Sequence, residues 1–253
     1  PVIMMRQWIF WSTILLASLG WTLPEAKAQV FPPDLQCLSG DTLLWELPVN
    51  ACGPFQAYEI YRSTAFTGPY TLLATINDPA QTTFFDPNPM GEVRYYYMQS
   101  DYNCPGEPVL QSDTIDNQLP EVAPLRSVSV VNGNVELNWS PSPSPEVNAY
   151  IIYRLIGGNV DPIDTVFSGT SYTDFTADPG GQSEQYYVLG LDPCGNTSIF
   201  LNPHQTIFTE ASFDSCARTI QLDWNLYQNW PGGIGRQEIW VSQDGSPSEL
   251  VAT

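Results

Sequence analysis

Residues 57–63 read AYEIYRS, and residues 149–155 read AYIIYRL, 92 positions later. A chain of 253 residues exceeds the rough expectation of about 150 residues per domain, so more than one domain is expected. A period near ninety residues suits a module that buries its own core and is then repeated. In both heptapeptides apolar side chains recur at every second position, the period of a half-buried strand.

The repeat extends outward on both sides. Upstream, Thr42–Leu47, Val135–Trp139 and Ile220–Trp224 alternate apolar and polar residues and end on or near a tryptophan. A loop then leads from Trp45 to Tyr61, from Trp139 to Tyr153 and from Trp224 to Trp240, over 16, 14 and 16 residues. Downstream, Thr83–Asp86 matches Ser171–Asp174 as a strand closing in an aspartate turn, and Tyr95–Met98 matches Tyr186–Leu189 as the next strand. Short strands separated by turn residues, among them 23 prolines and 18 glycines, with no helical period, predict an antiparallel sandwich.

With those motifs in view the chain resembles the fibronectin type III module: an alternation ending in Trp, then Tyr-x-Ile-Tyr-Arg, then Tyr-Thr-Asp, then Tyr-Tyr before Cys-Gly-Asn. The resemblance implies an all-β chain of tandem immunoglobulin-like antiparallel β-sandwiches, the last one truncated. It makes Trp45, Trp139 and Trp224 core tryptophans, and places a tyrosine corner at Tyr96 or Tyr97 and at Tyr186 or Tyr187. The expected division is a signal peptide over 1–28, modules over 29–118 and 119–209, and an incomplete module over 210–253. In that last stretch Leu250–Thr253 matches Leu72–Thr75, so only a front half is present. Such a half-module would expose a sheet edge and one face of its core.

The amino terminus has the pattern of an export signal. Arg6 precedes a 14-residue apolar run from Trp8 to Trp21, and Ala26-Lys27-Ala28 is a small-x-small cleavage pattern. A helix of that run spans about 21 Å, short of a hydrocarbon core of roughly 30 Å. The mature chain is expected to start at Gln29, without membrane insertion after cleavage, and to be secreted or held at the outer cell surface. Net charge is −19, and Lys27 is the sole lysine. Binding to nucleic acid or to an anionic membrane relies on lysine and arginine against phosphate, so both partners are excluded.

Five cysteines fit an oxidising compartment. The resemblance brings the loops holding Cys52 and Cys104 to one end of a sandwich, which makes that pair a candidate disulfide. Cys37 and Cys216 both stand eight residues before their tryptophans, and Cys194 is placed like Cys104. A small buried thiol remains the alternative for each. No Cys-x-x-Cys spacing signals zinc.

Catalytic signatures are missing from the sequence: no Gly-x-Ser-x-Gly elbow, His-Glu-x-x-His pair or phosphate loop occurs. No catalytic, cofactor-binding or metal residue is assigned, and no cofactor is expected. The sole histidine, His204, reads as a solvated turn residue after Asn202-Pro203. Ser140–Pro145 reads as a stiff loop at a sandwich tip. Trp230, in Trp230-Pro231-Gly232-Gly233, is a weak interaction candidate for a sugar ring or a protein, against packing on its own module. Asp161, Asp164, Asp174 and Asp178 match no calcium loop and read as solvated turn residues. Asn138 and Asn196 open glycosylation triplets, although Trp139 beside Asn138 is expected in the core. Asp-Thr-apolar triplets around Thr42, Thr114 and Thr165 resemble O-glycosylation sites of gliding bacteria.

Two functional classes follow. The first is a non-catalytic surface or adhesion protein, in which tandem modules form a monomeric rod that meets an unknown protein or glycan at the cell surface. The tandem modules with their Cys-Gly-Asn turn resemble repeats of large secreted surface proteins of gliding bacteria, exported by type IX secretion. The second is the spacer of a secreted polysaccharide or protein hydrolase whose catalytic domain lies beyond residue 253. The first is the expected reading, with short linkers such as Asn117–Pro124 limiting bending.

Overall fold

The alternation inside AYEIYRS sends Tyr58 and Ile60 into a core and leaves Glu59 and Tyr61 on the opposite face of their strand. The computed structural model describes residues 29–253 except Ala51, Pro89 and Asp244. The leader expected over residues 1–28 lies outside the described residues. The first sandwich contains β1 (Asp34–Ser39), β2 (Thr42–Glu46), β3 (Phe55–Ser63), β4 (Thr71–Ile76), β5 (Thr83–Phe85), β6 (Tyr95–Tyr102) and β7 (Ile115–Asp116). Its sheets run β1-β2-β5 and β4-β3-β6-β7. Their facing side chains, including Leu43, Trp45, Tyr58, Ile60, Tyr96 and Met98, form one buried cluster.

The second sandwich repeats this order. Its strands are β8 (Leu125–Val131), β9 (Asn134–Trp139), β10 (Ala149–Ile156), β11 (Asn159–Val166), β12 (Ser171–Asp174), β13 (Gln185–Leu191) and β14 (His204–Gln205). They form the sheets β12-β9-β8 and β11-β10-β13-β14. Register is repeated as well: Ile60 faces Met98 across β3 and β6, and Ile152 faces Val188 across β10 and β13. The strand order, three strands against four with antiparallel pairing, is that of a fibronectin type III sandwich.

Residues beyond β14 form two two-stranded ribbons, β15 (Thr209–Asp214) with β16 (Thr219–Trp224), and β17 (Ile239–Val241) with β18 (Glu249–Ala252). In the complete sandwiches the tryptophan strand also pairs with the aspartate-turn strand, and the heptapeptide strand with the Tyr-Tyr strand. Among the described residues β16 and β17 lack those second partners. Trp224 is accordingly 39% exposed, whereas Trp45 and Trp139 are 3% and 4% exposed.

The arginine of each heptapeptide has a buried purpose. Arg62 Nη1 lies 2.9 Å from both carboxylate oxygens of Asp86, just past β5. Tyr96 Oη donates to the same carboxylate at 2.8 Å, and Arg94 Nη1 adds a contact at 3.0 Å. In the second sandwich Arg154 Nη1 meets Asp174 at 2.7 Å, and Tyr186 Oη donates to it at 2.9 Å. Tyr96 and Tyr186, not Tyr97 and Tyr187, are thus the buried corner tyrosines: they belong to the two core clusters, while Tyr97 and Tyr187 on the other side of the pleat stay half-buried.

The two clusters differ in charge. Glu184 stands where the first sandwich has Arg94, with its Oε2 3.8 Å from Arg154 Nε. One carboxylate therefore faces two guanidinium groups in the first sandwich, and two carboxylates share one guanidinium in the second. Burial works to raise the Asp174 carboxyl, but hydrogen bonds from Thr176 and Tyr186 and the Arg154 charge outweigh it and hold the acid below its usual range. The expectation of a solvated turn residue at Asp174 is corrected here: it is fully buried.

Candidate functional site at the joints between sandwiches

A short connection can direct one sandwich relative to the next only if its backbone is fixed at both ends. Asn117 closes the first end: its Oδ1 accepts the Arg94 amide at 2.9 Å and its Nδ2 donates to Glu92 O at 2.7 Å. The other end is held by the Ser-Pro loop. Ser144 Oγ accepts the Glu121 amide at 2.9 Å, and Ser142 Oγ donates to Glu121 O at 2.6 Å. Pro120 and Ala123 are buried between these pins.

A covalent bond closes the same joint. Cys37, in β1 of the first sandwich, is joined to Cys194, in the loop after β13 of the second, with 157 residues of separation and Cα atoms 6.0 Å apart. The sequence left both as alternatives between buried thiols and other pairings, so this inter-sandwich bridge is new. Asp192 shapes the loop that presents Cys194: its Oδ1 accepts the amides of Cys194 at 2.9 Å and Asn196 at 2.8 Å. Asn196 Nδ2 then donates across the joint to Leu38 O at 2.8 Å. Beside it lies a small cleft of about 210 Å³ whose lining includes Asp116, Glu146 and Asp192. Burial pushes the Glu146 carboxyl up, and the charges of Asp116 and Asp192 push it the same way.

The second joint is noncovalent and centres on Tyr227. Its hydroxyl oxygen accepts the Val128 amide from β8 at 2.7 Å and lies 2.9 Å from His204 Nδ1 of β14. The direction of the Tyr227–His204 bond follows the histidine tautomer, since the hydroxyl can donate to a bare Nδ1 or accept from an Nδ1–H. Asn225 adds bonds to the Phe208 amide at 2.6 Å and to Thr206 O at 2.9 Å, and Asn229 Nδ2 donates to Pro203 O at 2.6 Å. His204 is 1% exposed, which corrects its reading as a solvated turn residue: the strand after Pro203 turns it toward the next unit. Burial lowers its pKa.

The other residues singled out by sequence fall as follows. Cys52 and Cys104 are joined in a disulfide across 52 residues, with Cα atoms 5.6 Å apart. Cys216 is free and exposed. Trp230 is 46% exposed, sits edge-on to Tyr227 at 5.1 Å, and borders a cleft of about 570 Å³ with Leu222, Trp224 and Trp240. That cleft is the uncovered inner face of the two ribbons. Asp161 and Asp164 are exposed on β11, apart from buried Asp174, while Asp178 accepts the Gly181 amide at 3.1 Å. Asn138 is exposed on β9, whereas the Asn196 amide is spent on Leu38 and Asp192. Thr42 opens β2, Thr165 lies in β11, and Thr114 precedes β7. Among the described residues, the one group of clustered potential metal ligands is Cys37, Asp192 and Cys194, and both of its sulfurs are already spent on the bridge.

No family profile and no curated protein matches the chain. Solved structures do. The chicken CNTN1 FN1-FN3 domains share 14% identity over 72% of this chain and 68% of theirs, with a TM-score of 0.32. A two-domain fibronectin type III segment from chicken tenascin shares 17% over 69% of this chain and 97% of its own, at 0.28. The chicken interferon gamma receptor alpha chain shares 11% over 70% and 97%, also at 0.28. Scores this low leave the fold to be defined by the strand order above.

Proposed function

We propose that this chain is a non-catalytic extracellular scaffold built of three repeated units, 29–118, 119–209 and 210–253. The units hold a binding end at a set distance and direction. The observation that carries this reading is the first joint, where a disulfide, the Asn196 bridge and a linker pinned at Asn117 and Glu121 remove the freedom of a flexible tether. Two disulfides favour an oxidising site of action outside the cell. A protein or glycan at a cell surface is the partner that suits the exposed aromatic residues of the third unit, Trp230 and Trp240. The resemblance to secreted surface repeats of gliding bacteria rests on the sequence motifs alone.

The test is deletion of the coding region in the source organism, followed by surface labelling and an attachment assay. The expected result is antibody labelling of intact wild-type cells and reduced attachment in the deletion strain. Unchanged attachment, or loss of a hydrolytic activity in its place, overturns the reading.

A further inference from the structure

Both ends of a chain under tension are pulled along whichever covalent path is shortest. Cys37 lies near the start of the described residues, and Cys194 lies after the last core residue of the second sandwich. Of the first core cluster only Leu35 precedes Cys37, and the whole second cluster, Ala123 to Val188, falls inside the loop that the bridge closes. We propose that the Cys37–Cys194 bridge is a length lock, and this rests on the scaffold reading above. While the lock is closed, tension passes from Cys37 to Cys194 and leaves residues 38–193 slack. The buried cores of both complete sandwiches are thereby shielded from unfolding by force, while β14 stays on the loaded path.

The stored length follows from the separation of 157 residues. At about 3.4 Å per extended residue, opening the lock and unfolding the loop yields about 530 Å. The bridge Cys52–Cys104 lies within that loop and withholds its own 52-residue span. With that inner bridge still closed, about 360 Å is released.

Opening needs an external dithiol. Its thiolate attacks Cys194 Sγ, the half-buried sulfur, forming a mixed disulfide and expelling Cys37 as thiolate. The second thiol of the reagent then displaces Cys194, so the dithiol leaves as a cyclic disulfide and has delivered two electrons and two protons. Cys37 is 2% exposed, and an Asp192 carboxylate oxygen lies within 4.8 Å of both sulfurs. That carboxylate opposes an incoming anion and disfavours both departing thiolates. Cys52 and Cys104 are each half-buried and, among the described residues, have no carboxylate placed as Asp192 is. The inner bridge therefore opens first and by itself releases nothing.

Single-molecule force extension of residues 29–253, held at both ends, tests the lock. Oxidised protein is expected to extend only through residues 29–37 and 194–253. Dithiothreitol adds sandwich-unfolding steps totalling about 530 Å. Cys37→Ser without reductant adds about 360 Å. Sandwich-unfolding steps in oxidised protein, or no gain with dithiothreitol, overturn the lock. Should Cys37→Ser not fold, the comparison of the native chain with and without dithiothreitol still decides. No ligand enters this measurement, so a lock that fails here is distinguishable from an adhesion assay that fails.

Discussion

Replacing Arg154 by methionine strips the second sandwich of the one cation in its buried cluster. Asp174 and Glu184 have side chains only 1% and 2% exposed, and both would be left without a cation. Removing one partner of a buried ion pair costs roughly 3–5 kcal/mol. Arg62→Met in the first sandwich is the matched control, since Arg62 is 33% exposed and Arg94 still meets Asp86 at 3.0 Å after its removal. That loss is about 1 kcal/mol, in the range of partly exposed pairs. For units of this size about 1 kcal/mol moves Tm by 4–8 °C, so Arg154→Met lowers the transition of the second sandwich by about 12 °C or more and Arg62→Met lowers the first by less than about 8 °C. Differential scanning calorimetry of both variants in the oxidised chain reads the difference. The Arg154→Met penalty should also shrink at acid pH, where the two carboxylates take up protons. Equal shifts in both variants, within about 0.5 kcal/mol, would refute the charge counting.

Three further outcomes follow from the joints and clusters. The second joint weakens as pH falls below the unfolded histidine value of about 6.5, because burial disfavours a charged His204; Trp230 fluorescence, read from about pH 8 to about pH 5, is expected to shift, and His204→Gln should abolish that pH step. Gly53, at φ +66° and with its Cβ position against Asn103 O, cannot take a side chain, so Gly53→Ala should cost about 1–3 kcal/mol and slow closure of the Cys52–Cys104 bridge, as seen by thiol counting during refolding. Asp174 has its pKa held down in the fold, so its contribution is present above the unfolded carboxyl value of about 3.9 and is lost as pH falls through the lower folded value; Asp174→Asn should remove that acid step from urea unfolding.

The strand order was legible because each heptapeptide writes its own burial: Tyr58, Ile60, Tyr150 and Ile152 alternate inward in both copies. The corner tyrosines stayed ambiguous in sequence, since adjacent tyrosines differ only in which face of the pleat they take. Arg94 and Glu184, two places before those tyrosines, are visible in the sequence, but their meaning depends on Asp86 and Asp174 closing over them from another sheet. Cys37–Cys194 was hidden for a different reason. Repeat equivalence aligns Cys37 with Cys216 and Cys194 with Cys104, and says nothing of the angle at which one sandwich meets the next. His204 was misread because Asn202-Pro203 marks a turn, while its partner Tyr227 belongs to the following unit.

The lengths of the two loops give the bridges unequal histories. Cys52–Cys104 closes 52 residues inside one sandwich, whereas Cys37–Cys194 closes 157 and needs two sandwiches in place. A shorter loop costs less entropy to close, and Gly53 packed against Asn103 brings Cys52 to Cys104 early, withdrawing two wrong suitors for Cys37. Cys37 then waits, unpaired, until the second sandwich has folded and presents Cys194. The local bridge thus acts as a chaperone in covalent form: its lasting contribution is the correctness of a bond it does not contain.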